Sequence, residues 1–491
     1  MKAQTTNHGL KLFSSGMERM TRSEHFAVAD RMSILTHANQ WYGQLRGYDR
    51  VGIAAQVNGA MKRSSEEIRH QQLADFRAIV VSSAERFPFY ADRLRERLGG
   101  VPGVRDEFVP SDLPLWTKDD QRTFFASLRP SDFGSCFLHS SGGSTGVPIQ
   151  FYMTRKSFEW RTAVARRSYS FASAEPGRRA FFVWGDAAIQ PPVHVRLKTR
   201  LSQWVENRSY FNCFFFDQQR KRVCCQAINQ RRPIALVGYA GVLAELAAFC
   251  RAQPELLKWR TPNIITAAEG LQPGQRELIE ESLRGRVFMS YGSREFMSIG
   301  MECRQDRGYY LADDNLLVEV VDEGGKPVAA GETGQIAITD LHNTANPFVR
   351  YLVGDIGIMA PGDQTCSDGL PFRRLLEVRG RSQEFVYTPD GENLTLLYFS
   401  HNLKEFPWVE GYQVVQRTLQ HLIIKVCSGS LISTEMKQKL ETQLRPKLGA
   451  ARIDVEQVEQ LTRRPNGKVA VLVSELEATP CSSGPSTLEC A

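Results

Sequence analysis

The order of apolar and polar positions changes several times along the chain. Between Ser64 and Leu98 the apolar residues recur at helical spacing, and Pro88 interrupts the pattern. From about residue 134 to 379, short apolar runs alternate with helical segments. The runs are AFFVWGD (180–186), PIALVGY (233–239), NIITAAE (263–269) and RVFMSYG (286–292). Strands that alternate with helices predict an α/β core with a largely parallel sheet.

The pattern becomes richer in strands after Asp306. YYLADDNLLVEVVD and GQIAITDL predict antiparallel strands, and beyond Arg381 three shorter strand patterns surround the amphipathic segment TEMKQKLETQL. We therefore predict a large α/β domain with a β-rich subdomain, followed by a small α+β domain. The expected divisions are a variable lead at 1–27, an N-terminal domain at 28–381, a C-terminal domain at 382–476 and a polar tail at 477–491, whose composition predicts disorder.

The composition is typical of a globular protein with more than one domain. The 491 residues are too many for one compact core, and 42% of them are hydrophobic. The net charge of +7 is spread along the chain, which favours a solvated surface over a nucleic-acid-binding track. Ten cysteines without a CxxC pair, and a first segment without a secretory apolar run, predict a cytoplasmic protein with mostly free thiols. The most apolar stretch, 233–250, contains Glu245 and is short for a membrane span, so we predict none.

A loop rich in glycine and hydroxyl side chains, HSSGGSTGVPIQ, occupies residues 139–150 between two strand-like runs. It lacks the lysine that a P-loop requires after its last glycine, and its glycines do not follow the GxGxxG spacing. Hydroxyl groups and glycine N–H groups could still hold an anion without a charged side chain. The segment therefore predicts a phosphate loop, with a plain hairpin loop as the alternative.

Several blocks in a fixed order carry a resemblance to a known family. They are the loop at 139–148, TAAEGLQPGQRELIEESL (266–283) with YGSRE (291–295), the β region 301–341, FVRYLVGD (348–355), RGRSQEF (379–385) and RRPNGKVAVLVS (463–474). In this order they resemble the adenylate-forming superfamily of acyl-CoA synthetases and peptide-synthetase adenylation domains. Within it, the chain is similar to the phenylacetate–CoA ligase branch and its CapK-type relatives in capsule biosynthesis.

The resemblance implies which residues bind ATP. The phosphate loop would close over the β- and γ-phosphates with Ser140, Ser141, Gly142, Gly143, Ser144, Thr145 and Gly146. Tyr291, followed by Gly292, would stack on adenine, Glu295 would bind Mg²⁺ and Asp355 would accept the ribose hydroxyls. A core tyrosine, an exposed glutamate and a turn-forming aspartate are the structural alternatives. Glu269 would line the nucleotide or acyl pocket, although a solvated turn carboxylate is almost as well supported.

The resemblance also implies a mobile C-terminal domain. Lys468 would hold the carboxylate and α-phosphate oxygens during adenylation, and Arg381 would contact ribose or phosphate. The alternatives are a lysine in a surface hairpin and an arginine in a generic basic face. Gln383 lies at the predicted hinge, where relatives commonly have aspartate. Rotation about the hinge would let one site run two half-reactions.

The acyl pocket and the zinc site are less defined in the sequence. Trp184, Tyr239 and Ala240 end or follow strands of the α/β core and are candidates for a pocket that favours an aryl or flat apolar acid, although core packing explains such aromatics equally well. Several members of the branch bind zinc through cysteines and a histidine. Here Cys303 and Cys366 are present, but Tyr309 or Tyr310 occupies the position of the expected histidine and Asp368 replaces the second cysteine near Cys366. A tetrahedral site needs four good ligands, so we predict no zinc.

The sequence therefore predicts an ATP- and Mg²⁺-dependent ligase that activates a carboxylic acid as acyl-AMP and passes the acyl group to a thiol, with coenzyme A as the candidate. Transfer to an amine or hydroxyl acceptor is the first alternative. A nucleotide-binding homologue without catalysis is the second, and the presence of Glu295, Asp355 and Lys468 argues against it. We expect no nucleic-acid partner, and the sequence leaves the identity of the acid and the oligomeric state open.

Overall fold

The structure is a computed structural model that describes most of the chain. The described residues are 50–103, 107–129, 136–141, 149–185, 193–213, 216–271, 274–362, 367–379, 385–389, 393–403, 405–462 and 471–476. They form two compact units. The first contains the described residues of Met1–Leu115, Met153–Cys213 and Asp217–Val378; the second contains those of Trp116–Tyr152, Phe214–Phe216 and Arg379–Ala491.

The helices in the described part of the chain are α1 (Arg50–Ala60), α2 (Ser65–Arg86), α3 (Pro88–Leu98), α4 (Lys118–Ser127), α5 (Arg155–Ser170), α6 (Val193–Val205), α7 (Gln218–Arg231), α8 (Ala240–Ala252), α9 (Gln275–Ser282), α10 (Leu396–Leu403) and α11 (Thr434–Leu448). A 3₁₀ turn spans Pro110–Asp112. None of these helices has the length and apolarity needed to cross a membrane.

The strands are β1 (Phe137–Ser140), β2 (Gln150–Met153), β3 (Ala180–Trp184), β4 (Arg208–Asn212), β5 (Ala235–Tyr239), β6 (Asn263–Ala267), β7 (Arg286–Ser293), β8 (Met297–Met301), β9 (Tyr309–Leu311), β10 (Leu316–Val321), β11 (Thr333–Asp340), β12 (Tyr351–Met359), β13 (Arg374–Arg379), β14 (Phe385–Tyr387), β15 (Asn393–Thr395), β16 (Gly411–Thr418), β17 (His421–Cys427), β18 (Arg452–Gln457) and β19 (Leu472–Ser474).

The boundary between α2 and α3 follows from local chemistry. The Ser64 hydroxyl accepts a hydrogen bond from the Glu67 N–H at 3.1 Å, and the Glu67 carboxylate accepts one from the Ser64 N–H at 2.7 Å. This capping box satisfies two N–H groups that the first turn leaves unpaired. Pro88 cannot donate to the preceding turn, so α2 ends and Pro88 begins α3. The predicted helical region with a break at Pro88 is confirmed.

The first unit is built on a sheet in the order β10-β11-β12-β13-β9-β8-β7-β6-β5-β3-β4. Strands β3 to β7 pair in parallel, and α6, α7, α8 and α9 connect them in turn. From β7 to β8 and on to β9 the pairing is antiparallel, as it is between β10, β11 and β12. The predicted parallel α/β core followed by an antiparallel β-rich region is confirmed.

One row of residues shows why the parallel strands are so apolar. Phe182 pairs with Val237, Val237 with Ile265, and Ile265 with Phe288, so four apolar side chains from four strands lie side by side. All four are buried in one core cluster. Because side chains alternate between the faces of a strand, the residues two positions farther on lie on this same face at the carboxyl edge of the sheet.

The second unit contains a four-stranded sheet in the order β18-β17-β16-β19. Helix α11 contributes Leu440, Leu444 and Leu448, which recur every fourth residue and are fully buried against it. The unit also holds two hairpins, β1–β2 and β14–β15. The small α+β region predicted near the end of the chain is confirmed.

Candidate functional site

Two predicted nucleotide-binding residues of the first unit are in direct contact. The hydroxyl of Tyr291, on β7, donates a hydrogen bond to Asp355 Oδ2, on β12, at 2.9 Å. Burial, and next the adjacent Asp355 carboxylate, hold the pKa of Tyr291 well above its ordinary value, so the phenol keeps its proton and acts as the donor. The bond leaves Oδ1 of Asp355 with the capacity to accept other donors.

Gly292 and Glu295 lie where β7 turns into β8. The register between these strands shifts at Tyr291 and Gly292, and a Cβ at Gly292 would lie 2.1 Å from the carbonyl oxygen of Met297. Met297 itself has a φ of 66°, which is unusual for a side chain of this size. Glu295 is half-buried in the connecting turn. This tight turn therefore sets the positions of both the Tyr291 ring and the Glu295 carboxylate.

The candidates for the acyl pocket also come together. The rings of Trp184 and Tyr239 stack with centroids 4.3 Å apart, at the carboxyl ends of the neighbouring strands β3 and β5. Because β4 lies outside β3 and β5 lies on its other side, this is the point where the strand order reverses, which is where open α/β sheets bind ligands. Ala240 follows directly as the first residue of α8 and is fully buried.

Glu269 has a structural contact at the same edge of the sheet. One of its carboxylate oxygens accepts the N–H of Gly241 at 3.0 Å, in the first turn of α8. This contact places a negative charge where the helix exposes unpaired N–H groups. The preceding residue, Ala268, has a φ of 68°, which is a strained conformation for alanine. The loop after β6 is thus fastened to the start of α8.

In the second unit, Ser140 and Ser141 lie at the end of β1. The N–H of Ser141 donates to the Ile149 carbonyl at 2.9 Å, and the Ser141 hydroxyl accepts from the Ile149 N–H at 2.9 Å. These two bonds close the base of the predicted phosphate loop. The hydroxyl proton of Ser141 is not used as a donor in either bond, so it can still be donated elsewhere.

The other predicted site residues lie outside the described residues. They are Gly142, Gly143, Ser144, Thr145, Gly146, Arg381, Gln383 and Lys468.

The residues considered for zinc make other contacts. Cys303 is buried beside Tyr310, whose hydroxyl donates to Asp306 at 2.7 Å. Asp368 accepts the backbone N–H groups of Arg304 and Gln305 at 2.8 and 3.2 Å. Cys366 lies outside the described residues. Among the described residues no cluster of three or more histidine, cysteine or carboxylate side chains could hold a metal ion.

Arg350 was not singled out from the sequence, although it lies inside FVRYLVGD. It is 1% exposed and binds both oxygens of Glu319, at 3.0 and 3.1 Å. It also donates to the backbone carbonyls of Leu113 and Gly325. Arg350 immediately precedes β12, so these contacts anchor the strand that carries Asp355. An arginine within an otherwise apolar run was the signal that could have identified it.

A cavity of about 770 Å³ lies in the first unit, apart from all the residues named above as site candidates. It is lined by Arg63, Lys156, Trp160 and His342, among others. The His342 imidazole stacks on Trp160 with ring centroids 3.9 Å apart, and its Nε2 lies 3.0 Å from the Asp314 carbonyl oxygen. Burial lowers the pKa of His342, which favours the neutral ring.

Comparison with known proteins identifies relatives along most of the chain. Residues 386–475 match the family described as the CapK C-terminal domain. Phenylacetate-coenzyme A ligase of Thermus thermophilus is 25% identical over 409 residues, which cover 80% of this chain and 86% of that protein. The enzyme of the same name from Pseudomonas putida is 27% identical over 336 residues, 66% of this chain and 72% of that protein.

Solved structures show the same fold. 2-Hydroxyisobutyryl-CoA ligase in the postadenylation state superposes with a TM-score of 0.53 at 18% identity, covering 85% of this chain and 91% of that one. The same ligase in the thioesterification state, with 2-HIB-AMP and CoA, gives a TM-score of 0.53 at 19% identity with the same coverage. The ordered sequence blocks, the fold and these relatives together make the chain similar to the phenylacetate–CoA ligases, and its residues 386–475 similar to the CapK C-terminal domain.

Proposed function

We propose that the chain is an AMP-forming acid–thiol ligase. It joins a carboxylic acid to the AMP part of ATP with release of pyrophosphate, and then transfers the acyl group to coenzyme A. The names of the curated relatives support this activity. The observation that carries it is the 2.9 Å contact between Tyr291 and Asp355, because it joins two residues whose expected ligands, adenine and ribose, are adjacent parts of one nucleotide.

The first unit supplies groups suited to the nucleoside. The Tyr291 ring offers a flat apolar surface for the base, and its hydroxyl fixes the orientation of Asp355. The remaining oxygen of Asp355 accepts a hydrogen bond from a ribose hydroxyl. Burial raises the pKa of Tyr291, so its phenol keeps the proton that it donates to Asp355.

Glu295 is the proposed ligand of Mg²⁺. The described residues offer a single carboxylate in this turn rather than a cluster, and Mg²⁺ in phosphate-transfer sites commonly takes only one or two carboxylates beside substrate oxygens. A single carboxylate from Glu295 is therefore a suitable protein ligand for Mg²⁺ beside the phosphate oxygens of ATP. When bound, the ion would neutralise negative charge on the phosphates.

The remaining roles come from the resemblance. Ser140, Ser141 and the glycines and hydroxyls up to Gly146 hold the departing pyrophosphate. Lys468 neutralises the carboxylate and α-phosphate oxygens as they approach, and Arg381 contacts ribose or phosphate. The small domain, 382–476, rotates about Gln383 so that the second half-reaction uses another of its faces. A cytoplasmic location, where ATP and coenzyme A are available, belongs to the same proposal.

The acid is proposed to lie against Trp184, Tyr239 and Ala240. The stacked rings of Trp184 and Tyr239 form a flat apolar wall at the switch point of the sheet, which favours an aryl or other flat acid. Glu269 fastens the loop beside that wall through Gly241 and so keeps its shape. Transfer to an amine or hydroxyl acceptor, and loss of catalysis, are not favoured by the relatives.

Carboxylate-dependent exchange of pyrophosphate into ATP tests the first half-reaction. We expect exchange with at least one acid from a panel of aryl and aliphatic carboxylates, and loss of exchange in Lys468→Ala. The matched control is Lys437→Ala, a lysine on α11 of the same unit, which should exchange like the unaltered protein. AMP release measured with and without coenzyme A then tests the acceptor.

The outcomes separate the steps. Exchange without any stimulation of AMP release by coenzyme A would reject the thiol acceptor and keep adenylation. Absence of exchange with every acid, by folded protein that binds ATP, would argue for the non-catalytic alternative. Exchange that survives Lys468→Ala would remove the proposed role of that lysine.

A further inference from the structure

Helix α6 presents an exposed apolar ridge that the proposed ligase activity does not use. Leu197, Leu201 and Trp204 are 61%, 62% and 53% exposed. Their spacing of four and three residues places them on one face of the helix. Single exposed apolar residues are ordinary, but three large ones on one helical face are a typical mark of an interaction surface.

The flanks of this ridge are basic. Arg196 and Arg200 precede the two leucines, and both are exposed. The sequence of α6 also contains Lys198 and has no aspartate or glutamate. The first carboxylate after the helix, Glu206, is bound by Arg166 at 2.8 Å and by Arg208 at 3.0 Å. The charge beside the apolar ridge is therefore positive.

An aromatic residue follows on the next element. The chain leaves α6 through a turn in which the Asn207 N–H donates to the Trp204 carbonyl, and it enters β4, the outermost strand at its end of the sheet. Tyr210 on β4 is 49% exposed, and its ring stacks on Phe182 with centroids 4.7 Å apart. Tryptophan and tyrosine, with an apolar ring and a polar group, favour the boundary between hydrocarbon and water.

The apolar ridge and its basic flanks favour one kind of binding surface over another. A second copy of the chain, packed on the ridge through its own α6, would bring together two helices that carry basic residues and no acidic ones, which like-charge repulsion opposes. An anionic lipid surface instead offers acyl chains to the leucines and phosphate groups to the arginines. We propose that α6 docks the protein on the surface of an anionic membrane, with the ridge of Leu197, Leu201 and Trp204 in the headgroup boundary.

Vesicle binding by the full chain tests this proposal. We expect the protein to sediment with vesicles of phosphatidylcholine and phosphatidylglycerol, and much less with phosphatidylcholine alone. Arg196→Gln with Arg200→Gln should weaken binding by about fivefold per arginine at low salt. Raising the salt concentration should weaken the binding of the unaltered protein in the same direction.

The apolar contribution is tested with Leu201→Gln combined with Trp204→Gln, which should reduce binding by about tenfold. Both side chains are more than half exposed, and pyrophosphate exchange reports whether the variant has folded. The matched control is Leu431→Gln, since Leu431 is 91% exposed but lies in the other unit. Carboxylate-dependent pyrophosphate exchange should be unchanged in all these variants in the absence of vesicles, so loss of membrane binding is separable from loss of ligase activity.

Three outcomes would overturn the proposal. The unaltered protein could stay in solution with both kinds of vesicle. The Leu431 control could lose as much binding as the α6 variant. The α6 variant could change the molar mass in light scattering without changing vesicle binding, which would show that a second copy covers the ridge. Vesicle binding lost only in the α6 variants, at constant molar mass, would establish the membrane surface.

Discussion

The Tyr291 hydroxyl and the Asp355 carboxylate are joined at 2.9 Å although their strands are not neighbours. Three strands, β8, β9 and β13, lie between β7 and β12 in the sheet. On a flat sheet, four steps of about 4.8 Å would separate them by about 19 Å, which is beyond the reach of the two side chains. The sheet must therefore curl between β7 and β12 rather than run flat across the strands between them.

The contact predicts a specific defect in Tyr291→Phe. The variant keeps the ring that would face adenine but leaves Asp355 without its donor. Hydrogen bonds to charged groups are worth about 1.5–3 kcal/mol, so we expect the KM for ATP in pyrophosphate exchange to rise by about 10- to 100-fold. The KM for the acid should change little, because the proposed acid site at Trp184 and Tyr239 does not include this pair.

Tyr309→Phe is the matched control, since the rings of Tyr291 and Tyr309 lie 5.8 Å apart and the Tyr309 hydroxyl contacts Met289 Sδ instead. It should leave the KM for ATP close to that of the unaltered protein. A double-mutant cycle with Asp355→Asn measures the coupling directly. Strict additivity of the two single changes would contradict a functional link between Tyr291 and Asp355.

The turn after Tyr291 predicts that Gly292 cannot accept a side chain. A Cβ would lie 2.1 Å from the Met297 carbonyl oxygen, so Gly292→Ala must separate β7 from β8 locally. That shift moves both Tyr291 and Glu295, and we expect pyrophosphate exchange to fall by at least about 100-fold. Gly362→Ala is the control, because nothing lies within 4 Å of its added Cβ. Equal activity of the two variants would contradict the importance of this turn.

The sequence predicted elements better than it predicted their contacts. Short apolar runs predicted β3, β5, β6 and β7 because buried parallel strands need apolar side chains on both faces. The same reasoning could not predict the curl that joins Tyr291 to Asp355, since it depends on the twist of several strands together. It also gave no reason to expect that Glu269 would bind the first turn of α8, which requires the distance between two loops.

Buried polar residues were the other limit of sequence reasoning. Arg350 and Gln416 lie within patterns that otherwise predict apolar strands, and each is almost fully buried. Whether such a buried side chain stabilises the fold depends on hydrogen-bond partners that are distant in sequence. The partner is Glu319 for Arg350 and Tyr387 for Gln416. Hydrophobic periodicity contains no information about such partners, because it records only which positions avoid water.

The Gln416 side chain attaches β14 to β16 of the second unit, and its hydrogen bonds predict how fast the β14 amide hydrogens exchange. Its side-chain oxygen accepts the Tyr387 N–H at 2.9 Å, and its side-chain nitrogen donates to the Tyr387 carbonyl at 2.5 Å. Gln416→Leu removes both bonds, which together stabilise the strand by about 1–2 kcal/mol. We expect the amide hydrogens of β14 to exchange about 5- to 30-fold faster, with little change in β17.

The control for this prediction is Gln443→Leu. Gln443 donates to Asn402 at 3.1 Å and joins α11 to α10, so its loss should not affect β14. Unchanged exchange at Tyr387 in Gln416→Leu would mean that pairing with β15 alone holds the strand. Because β14 begins two residues after the predicted hinge at Gln383, the same exchange rates report how rigid the chain is directly after the hinge.

His342 predicts a pH dependence of stability in the first unit. Burial lowers its pKa in the folded chain below the usual value of about 6.5 that it regains on unfolding. Below about pH 6.5 the unfolded chain therefore binds a proton more readily, and the folded chain loses stability as the pH falls. We expect the urea midpoint to drop between about pH 7.5 and about pH 5.5, and to drop less in His342→Phe.

His342→Phe keeps a ring on Trp160 but loses the bond to the Asp314 carbonyl, so at about pH 7.5 it should be less stable by about 1 kcal/mol. The informative quantity is thus the slope with pH rather than the midpoint itself. His70→Asn, at an exposed position of α2, should keep the full slope. A slope in His342→Phe equal to that of the unaltered protein would show that other groups cause the loss of stability, and that protonation of this buried ring does not.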